Sequence, residues 1–241
     1  MTIIKNAIES AFSIYYLSER AVTVEFGHEI SEHVNIKVRD FNNLIHSQPF
    51  PGFITMVPAY ASVTVFYDPV LVSRSSLTGS DCFEKVSIYL NTLKPTKKST
   101  KAIAPDTIII PICYDISLGP DLDGLAKLHQ INVDEVIRLH SAAIYQVYMI
   151  GFVPGFAYLG GMDPLLNSPR KSTPRKAVPA GSVGIAGEQT GIYPLQTPGG
   201  WQIIGQTPLK MFDIDRPQPS LLKAGDRVIF KPIPLHEFKA G

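Results

Sequence analysis

Residues 151–208 hold 11 of the chain's 18 glycines and 8 of its 20 prolines, yet only six of those 58 positions are charged. This tract constrains the fold more than any other feature. Interior proline and glycine destabilise helices, so long helices are excluded there. Short apolar pieces, "SVGIAG", "GIYPL" and "WQIIG", lie between the turn residues. That is the texture of a β-barrel or sandwich with tight corners. A disordered tract would share the glycine and proline content. The frequent Ile, Val, Tyr, Phe and Trp oppose it, because they supply the apolar surface that disordered segments lack.

Ahead of this tract the pattern is different. "AVTVEF" at 21–26 alternates as a half-buried strand does. Val34, Val38, Phe41, Leu44 and Ile45 follow at helical spacing, with Ser31 as N-cap and "PFPG" at 49–52 as the stop. "FITMVPAY" and "SVTVFYDP" predict two further strands. Residues 81–94 predict a helix with Phe83, Val86, Leu90 and Leu93 inward. The expectation for 1–94 is a layered α+β domain. Residues 95–105, rich in lysine and proline and without apolar periodicity, predict a linker. The expectation for 106–241 is an all-β barrel. It opens with the strand "DTIIIPICYD" and a helical "PDLDGLAKLHQ". The helix "NVDEVIRLHSAA" follows, capped by Asn132 and Glu135, then the strand "IYQVYMI"; "DRVIFKPI" near the end supplies a closing strand.

The 241 residues are 18% charged with a net charge of +1. A near-neutral balance opposes a broad nucleic-acid surface. No run reaches the ~18 apolar residues of a membrane helix, and the N-terminal stretch lacks a signal-peptide pattern. The expectation is a cytoplasmic protein without nucleic-acid or membrane partners. Cys82 and Cys113 lack metal or redox spacing and are expected to be reduced thiols.

Few residues carry chemistry. "GSVGIAG" lies between strand-like pieces and does not open a helix, so it fails as a dinucleotide loop. "PRKSTPRKAVP" at 169–179 concentrates Arg170, Lys171, Arg175 and Lys176 around stiffening prolines. Arginines on such a loop suit a carboxylate or phosphate; a solvated loop fits the same composition. His140, on the last turn of its helix, suits proton transfer, and equally a charge that complements the helix dipole. It has no second ligand at metal spacing, so no metal is expected. Trp201, the only tryptophan, follows Gly199 and Gly200; it suits a ligand platform or a core anchor. Phe152, Phe156 and Tyr158 fall on one side of an extended backbone, as a pocket wall or as barrel core.

"VDEVIRLH", "GFVPGFAYLGGMDP", "PRKSTPRKAVPAGSVGIAGEQTGIYPLQTPGGWQIIGQTP" and "LLKAGDRVIF" together resemble the allophanate hydrolase subunit 1 family. That family includes KipI and the B subunit of bacterial 5-oxoprolinase. "AVTVEFG", "VPAYASVTVFYDP" and "GPDL" extend the resemblance to about residues 15–235. It implies a cyclophilin-like barrel after the α+β domain. It implies pairing with a homologous barrel protein of the allophanate hydrolase subunit 2 type, which is the C subunit in 5-oxoprolinase, where a third subunit joins them. That complex uses ATP to open 5-oxo-L-proline to L-glutamate, and the chain alone is expected to be inactive. Two other roles in the family are inhibition of a sporulation histidine kinase, the KipI type, and the carboxyltransferase of urea carboxylase and allophanate hydrolase systems. The family motifs fall on His140, Arg170 and Arg175 as candidate catalytic residues. They also fall on Phe152, Gly155, Phe156, Tyr158, Gln189, Tyr193, Gly199, Gly200 and Trp201 as candidate substrate-binding residues. "CYDISLGPDL" departs from the family pattern at Asp115–Leu118, where glycines are usual.

Overall fold

The computed structural model describes residues 12–29, 31–93 and 107–239. The chain divides into two compact units, Met1–Ile103 and Ala104–Gly241. The expected linker at 95–105 lies outside the described residues.

In the first unit, β1 (Ser13–Ser18), β2 (Ala21–Glu25), β3 (Phe53–Pro58) and β4 (Ser62–Tyr67) form an antiparallel sheet in the order β1-β2-β4-β3. The helices are α1 (Glu32–Ser47), α2 (Pro69–Arg74) and α3 (Cys82–Thr92). Strand alternation puts Val63, Val65 and Tyr67 on the same face as Val22 and Val24. That face meets Val38, Phe41 and Ile45 of α1 and Val86 and Leu90 of α3 in one core. The helix starts follow their caps. Ser31 accepts the Val34 N–H, and Asp81 accepts the Glu84 N–H at 2.8 Å. β1 and α2 were not expected from the sequence. α2 has six residues, too few for a periodic pattern, and is held by Asp68, which accepts the Val70 and Leu71 N–H groups. Lys85 then donates to the Ser73 and Ser75 carbonyls at 2.9 and 3.1 Å, tying α3 to the end of α2.

Leu90 is fully enclosed between α3 and the sheet. Leu90→Ala is expected to cost about 2–5 kcal/mol through lost contacts and a residual cavity. A drop in the urea midpoint followed by far-UV circular dichroism checks this. An unchanged midpoint would place Leu90 outside the core.

The second unit runs β5 (Thr107–Ile112), α4 (Leu122–Leu128), α5 (Val133–Ala142), β6 (Ile144–Ile150), β7 (Ala157–Gly160), β8 (Arg175–Val178), β9 (Ser182–Ala186), β10 (Gln189–Ile192), β11 (Thr197–Gly199), β12 (Gln202–Gln206), β13 (Arg227–Pro232) and a terminal α6 (Leu235–Phe238). Seven strands pair in the order β12-β9-β10-β7-β6-β13-β5, and β8 pairs with β11. Just past β5, Cys113 exchanges both main-chain hydrogen bonds with Gln206 at the end of β12, at 2.8 and 3.0 Å. That bridge joins the two edges, so the sheet curls into a barrel. The fold is thus an α+β unit followed by a cyclophilin-like barrel carrying α4 and α5. The loop at Asp115, which departs from the family pattern, is a turn: the Asp115 carboxylate accepts the Ser117 N–H at 2.9 Å, and its carbonyl accepts the Leu118 and Gly119 N–H groups. Both cysteines are free thiols. Among the described residues, no helix is long and apolar enough to cross a membrane.

Candidate ligand site on the barrel

The barrel interior and the candidate site are two adjoining apolar clusters. The first is the barrel core, with Ile110, Tyr145, Val147, Leu159, Ile185 and Phe230. The second groups Phe156, Val178, Ala186, Tyr193, Trp201 and Ile203, with Tyr158 against them.

The second cluster is built on glycine. Gly184 and Gly191 face each other across β9 and β10. A Cβ at Gly184 would stand 3.0 Å from Trp201 Cβ, and one at Gly191 would stand 3.1 Å from Trp201 Cζ3 and from Phe156 Cζ. The bare strands therefore admit the indole. Around it the rings meet edge to face: Phe156 and Trp201 lie 5.4 Å apart at 86°, and Phe156 and Tyr193 5.2 Å apart at 86°. Tyr158 packs 4.7 Å from Phe156 and 5.9 Å from Trp201. Such pairs add roughly 0.5–1.5 kcal/mol each beyond area burial.

Phe152 reaches this cluster by a different route from the one expected. Residues 151–156 form a turn rather than an extended strand. Phe152 has φ +66° and Gly155 φ +83°. A left-handed backbone is uncommon for phenylalanine. It leaves Phe152 61% exposed while its ring still meets that of Phe156 edge to face at 5.6 Å. Gly155 sits against Phe212, where a Cβ would approach Phe212 Cβ to 2.8 Å.

The basic loop lies along one side of the cluster. The Lys171 N–H donates to the Gly200 carbonyl at 2.8 Å, and Gln202 Nε2 donates to the Pro169 carbonyl at 3.0 Å. Gly199 pairs with Arg175 across β11 and β8. A side chain at Gly199 would collide with the Tyr193 hydroxyl. Burial raises the Tyr193 pKa, opposed by the Trp201 main-chain N–H and by the charges of Arg170 and Arg175. Burial likewise raises that of Tyr158, and Arg170 opposes it. Arg170 itself is exposed. The structure thus gathers Arg170, Arg175, Tyr158, Tyr193, Gly199, Gly200 and Trp201. Gln189 lies at the start of β10, opposite Ala186 of the aromatic cluster.

Asp121 organises this loop and was missed in the sequence. It stands at the N-cap of α4 but makes no capping bond. Its Oδ1 instead accepts Lys171 Nζ at 2.8 Å and Arg175 Nη2 at 2.7 Å, and its Oδ2 accepts the Ile203 N–H at 2.7 Å. Its own N–H donates to the Ile203 carbonyl at 2.9 Å. Asp121 therefore covers the outer edge of β12 as a neighbouring strand would. Burial pushes its pKa up, but the Arg175, Lys171 and Ile203 hydrogen bonds outweigh this and hold the carboxyl below its ordinary value.

His140 is placed apart from this group. It is fully buried in the barrel core, with its ring stacked on Phe230 at 4.8 Å and 7°. Thr190 Oγ1 donates to the Gly184 carbonyl at 3.0 Å, so it accepts from His140 Nε2–H at 2.9 Å. His140 Nδ1 then accepts the Tyr114 hydroxyl proton at 2.8 Å. Both ring nitrogens are spent inside the protein. Burial lowers the His140 pKa to about 3, so the ring is neutral. The chain of bonds ends on Gly184, the residue beneath Trp201. A histidine at a helix end was legible in the sequence; its burial was not.

The chain matches the family described as carboxyltransferase domain, subdomain C and D, over residues 12–222. It is 45% identical over 236 residues to the 5-oxoprolinase B subunit of Bacillus subtilis, covering 95% of this chain and 96% of that one. Among solved structures it superposes on TTHA0988 with a TM-score of 0.75 at 36% identity, covering 89% of this chain and 40% of that one. It superposes on the Kluyveromyces lactis urea carboxylase with a TM-score of 0.78 at 18% identity, a likeness of fold that spans this whole chain and 23% of the other. On the match to residues 12–222 and the full-length kinship with the 5-oxoprolinase B subunit, the chain belongs to the family of carboxyltransferase domains, subdomains C and D.

Proposed function

We propose that the chain is the B subunit of an ATP-dependent 5-oxoprolinase, a cytoplasmic complex that opens 5-oxo-L-proline to L-glutamate. The observation that carries this reading is the end-to-end similarity to the Bacillus subtilis protein of that name. The partners are a homologous barrel protein, the C subunit of such a complex, and a third subunit. The chain is inactive alone.

The geometry of the barrel suits one face of such a site. A lactam amide is unreactive, and phosphorylation of its oxygen by ATP would activate it. Substrate and activated intermediate are both anions. Arg170 and Arg175 would hold that negative charge. Phe152, Phe156, Tyr158 and Trp201 would give an apolar wall, with Gly155, Gln189, Tyr193, Gly199 and Gly200 shaping its floor. His140, neutral and enclosed, would position β9 and β10 beneath Trp201 rather than transfer a proton. The glycine run at 181–187 spans β9 and turns into another strand, β10, with no helix to receive phosphates. This chain therefore offers no nucleotide cradle there, and ATP is assigned to the complex as a whole.

Deleting the gene is expected to leave cells unable to use 5-oxoproline, which then accumulates. Normal 5-oxoproline use in the deletion strain would overturn the proposal. Affinity capture of the chain should recover a homologous barrel protein. Recovery of a histidine kinase in its place would favour the inhibitor role.

A further inference from the structure

We propose that Asp121 is an internal counter-ion that leaves Lys171 and Arg175 half neutralised, so that the basic loop takes one further small oxyanion, a carboxylate or a phosphate. The inference deepens the proposed function and rests on its placing the ligand at this loop.

One oxygen of Asp121 accepts both Lys171 and Arg175, and its other oxygen is spent on the Ile203 N–H. Two cations thus share one anion. Arg170, whose charge acts on Tyr158 and Tyr193, adds a third cation and has no ion pair among the described residues. Arg170, Lys171 and Arg175 against Asp121 leave an excess of two positive charges, and Lys176 of the same loop is a fourth cation.

Arg175 Nη1 is enclosed and has no acceptor. A buried guanidinium N–H without an acceptor is costly, and an incoming oxygen would relieve that cost. Asp121 grips the guanidinium by Nη2, which leaves its other terminal nitrogen for a ligand. Because Nη1 is enclosed, an oxyanion first meets Arg170 and the one-third-exposed Lys171 side chain.

Trp201, the only tryptophan, reports on this place directly. Its fluorescence in the full chain would be followed during titration with inorganic phosphate, 5-oxoproline and the uncharged lactam 2-pyrrolidinone, with calorimetry in parallel. The expected result is binding of phosphate, 5-oxoproline or both, weakened by salt, and none of 2-pyrrolidinone. Which anion binds tells whether the site serves a phosphoryl group or a substrate carboxylate. Asp121→Asn removes a competing negative charge and should tighten that anion several-fold. Arg175→Gln should weaken it at least tenfold. No response of the wild-type chain to either anion overturns the proposal, and so does an Asp121→Asn variant that binds as weakly as Arg175→Gln. If Asp121→Asn does not fold, Lys171→Gln serves: it should weaken the anion several-fold, and unchanged affinity overturns the proposal. Glutamate formation by the complex without anion binding here would sink this inference alone. Binding of 5-oxoproline without glutamate formation would sink only the functional reading.

Discussion

Arg175→Gln in the assembled complex is expected to lower kcat/KM for 5-oxoproline on the order of 100-fold. Glutamine keeps much of the side-chain length and removes the charge. Asp121 would retain Lys171 at 2.8 Å and the Ile203 N–H at 2.7 Å, so the carboxylate keeps two of its three partners and the loop keeps its Lys171 tie. The loss should therefore fall on the ligand more than on the fold. Arg175→Lys should recover only part of the rate, because an ammonium cannot offer two nitrogens in one plane, one to Asp121 and one to a ligand. Steady-state glutamate formation, with a thermal melt as control, reads both variants. Wild-type kinetics in Arg175→Gln would remove the basic loop from the site.

His140→Gln carries the second large effect, on stability. The substitution removes the stack on Phe230 and leaves Tyr114 or Thr190 short of a partner in the core. A cost of about 2–4 kcal/mol at neutral pH follows from an orphaned buried polar group and lost packing. Its pH dependence has a definite sign. Burial lowers the folded-state pKa of His140 from 6.5 to about 3. Below about pH 6.5 the unfolded chain binds a proton that the folded chain refuses. The wild type therefore loses roughly 1 kcal/mol per pH unit from this group as pH falls from 6.5 towards 3. Glutamine does not titrate, so the gap between the two proteins should narrow on acidification. Paired urea titrations at pH 7.5 and 5 measure it. A gap that stays constant would mean that His140 takes up a proton as readily in the folded chain as in the unfolded one.

The two residues show what the sequence carried and what it withheld. The basic loop is a local cluster, so Arg170 and Arg175 were visible as an anion-binding possibility. Asp121 meets Arg175 across 54 positions and Lys171 across 50, and nothing in its neighbourhood advertises that. Its segment reads as a helix start, and it does stand at one, but its carboxylate serves the strand edge instead of the helix. His140 was visible as a helix-end histidine with Asn132 capping the same helix, and that cap is present at 2.7 Å. Whether such a histidine faces water or Phe230 is decided by tertiary packing. The barrel itself was legible because glycines, prolines and large rings alternate through 151–208 in a way few folds accommodate. β1 was not legible, since its outer residues Tyr16 and Leu17 are exposed and blur the alternation. Phe152 was assigned to the right group for an incorrect reason: a left-handed turn, not strand periodicity, brings it to Phe156.

The central claim is that this chain is a necessary part of a lactam-opening complex. Reconstitution tests it most directly. The purified chain, its barrel partner and the third subunit would be mixed with ATP and 5-oxo-L-proline, and L-glutamate would be quantified with and without this chain. The account predicts ATP-dependent glutamate formation that disappears when the chain is omitted. Glutamate formed at the same rate without it, or none formed by the complete mixture, would contradict the account.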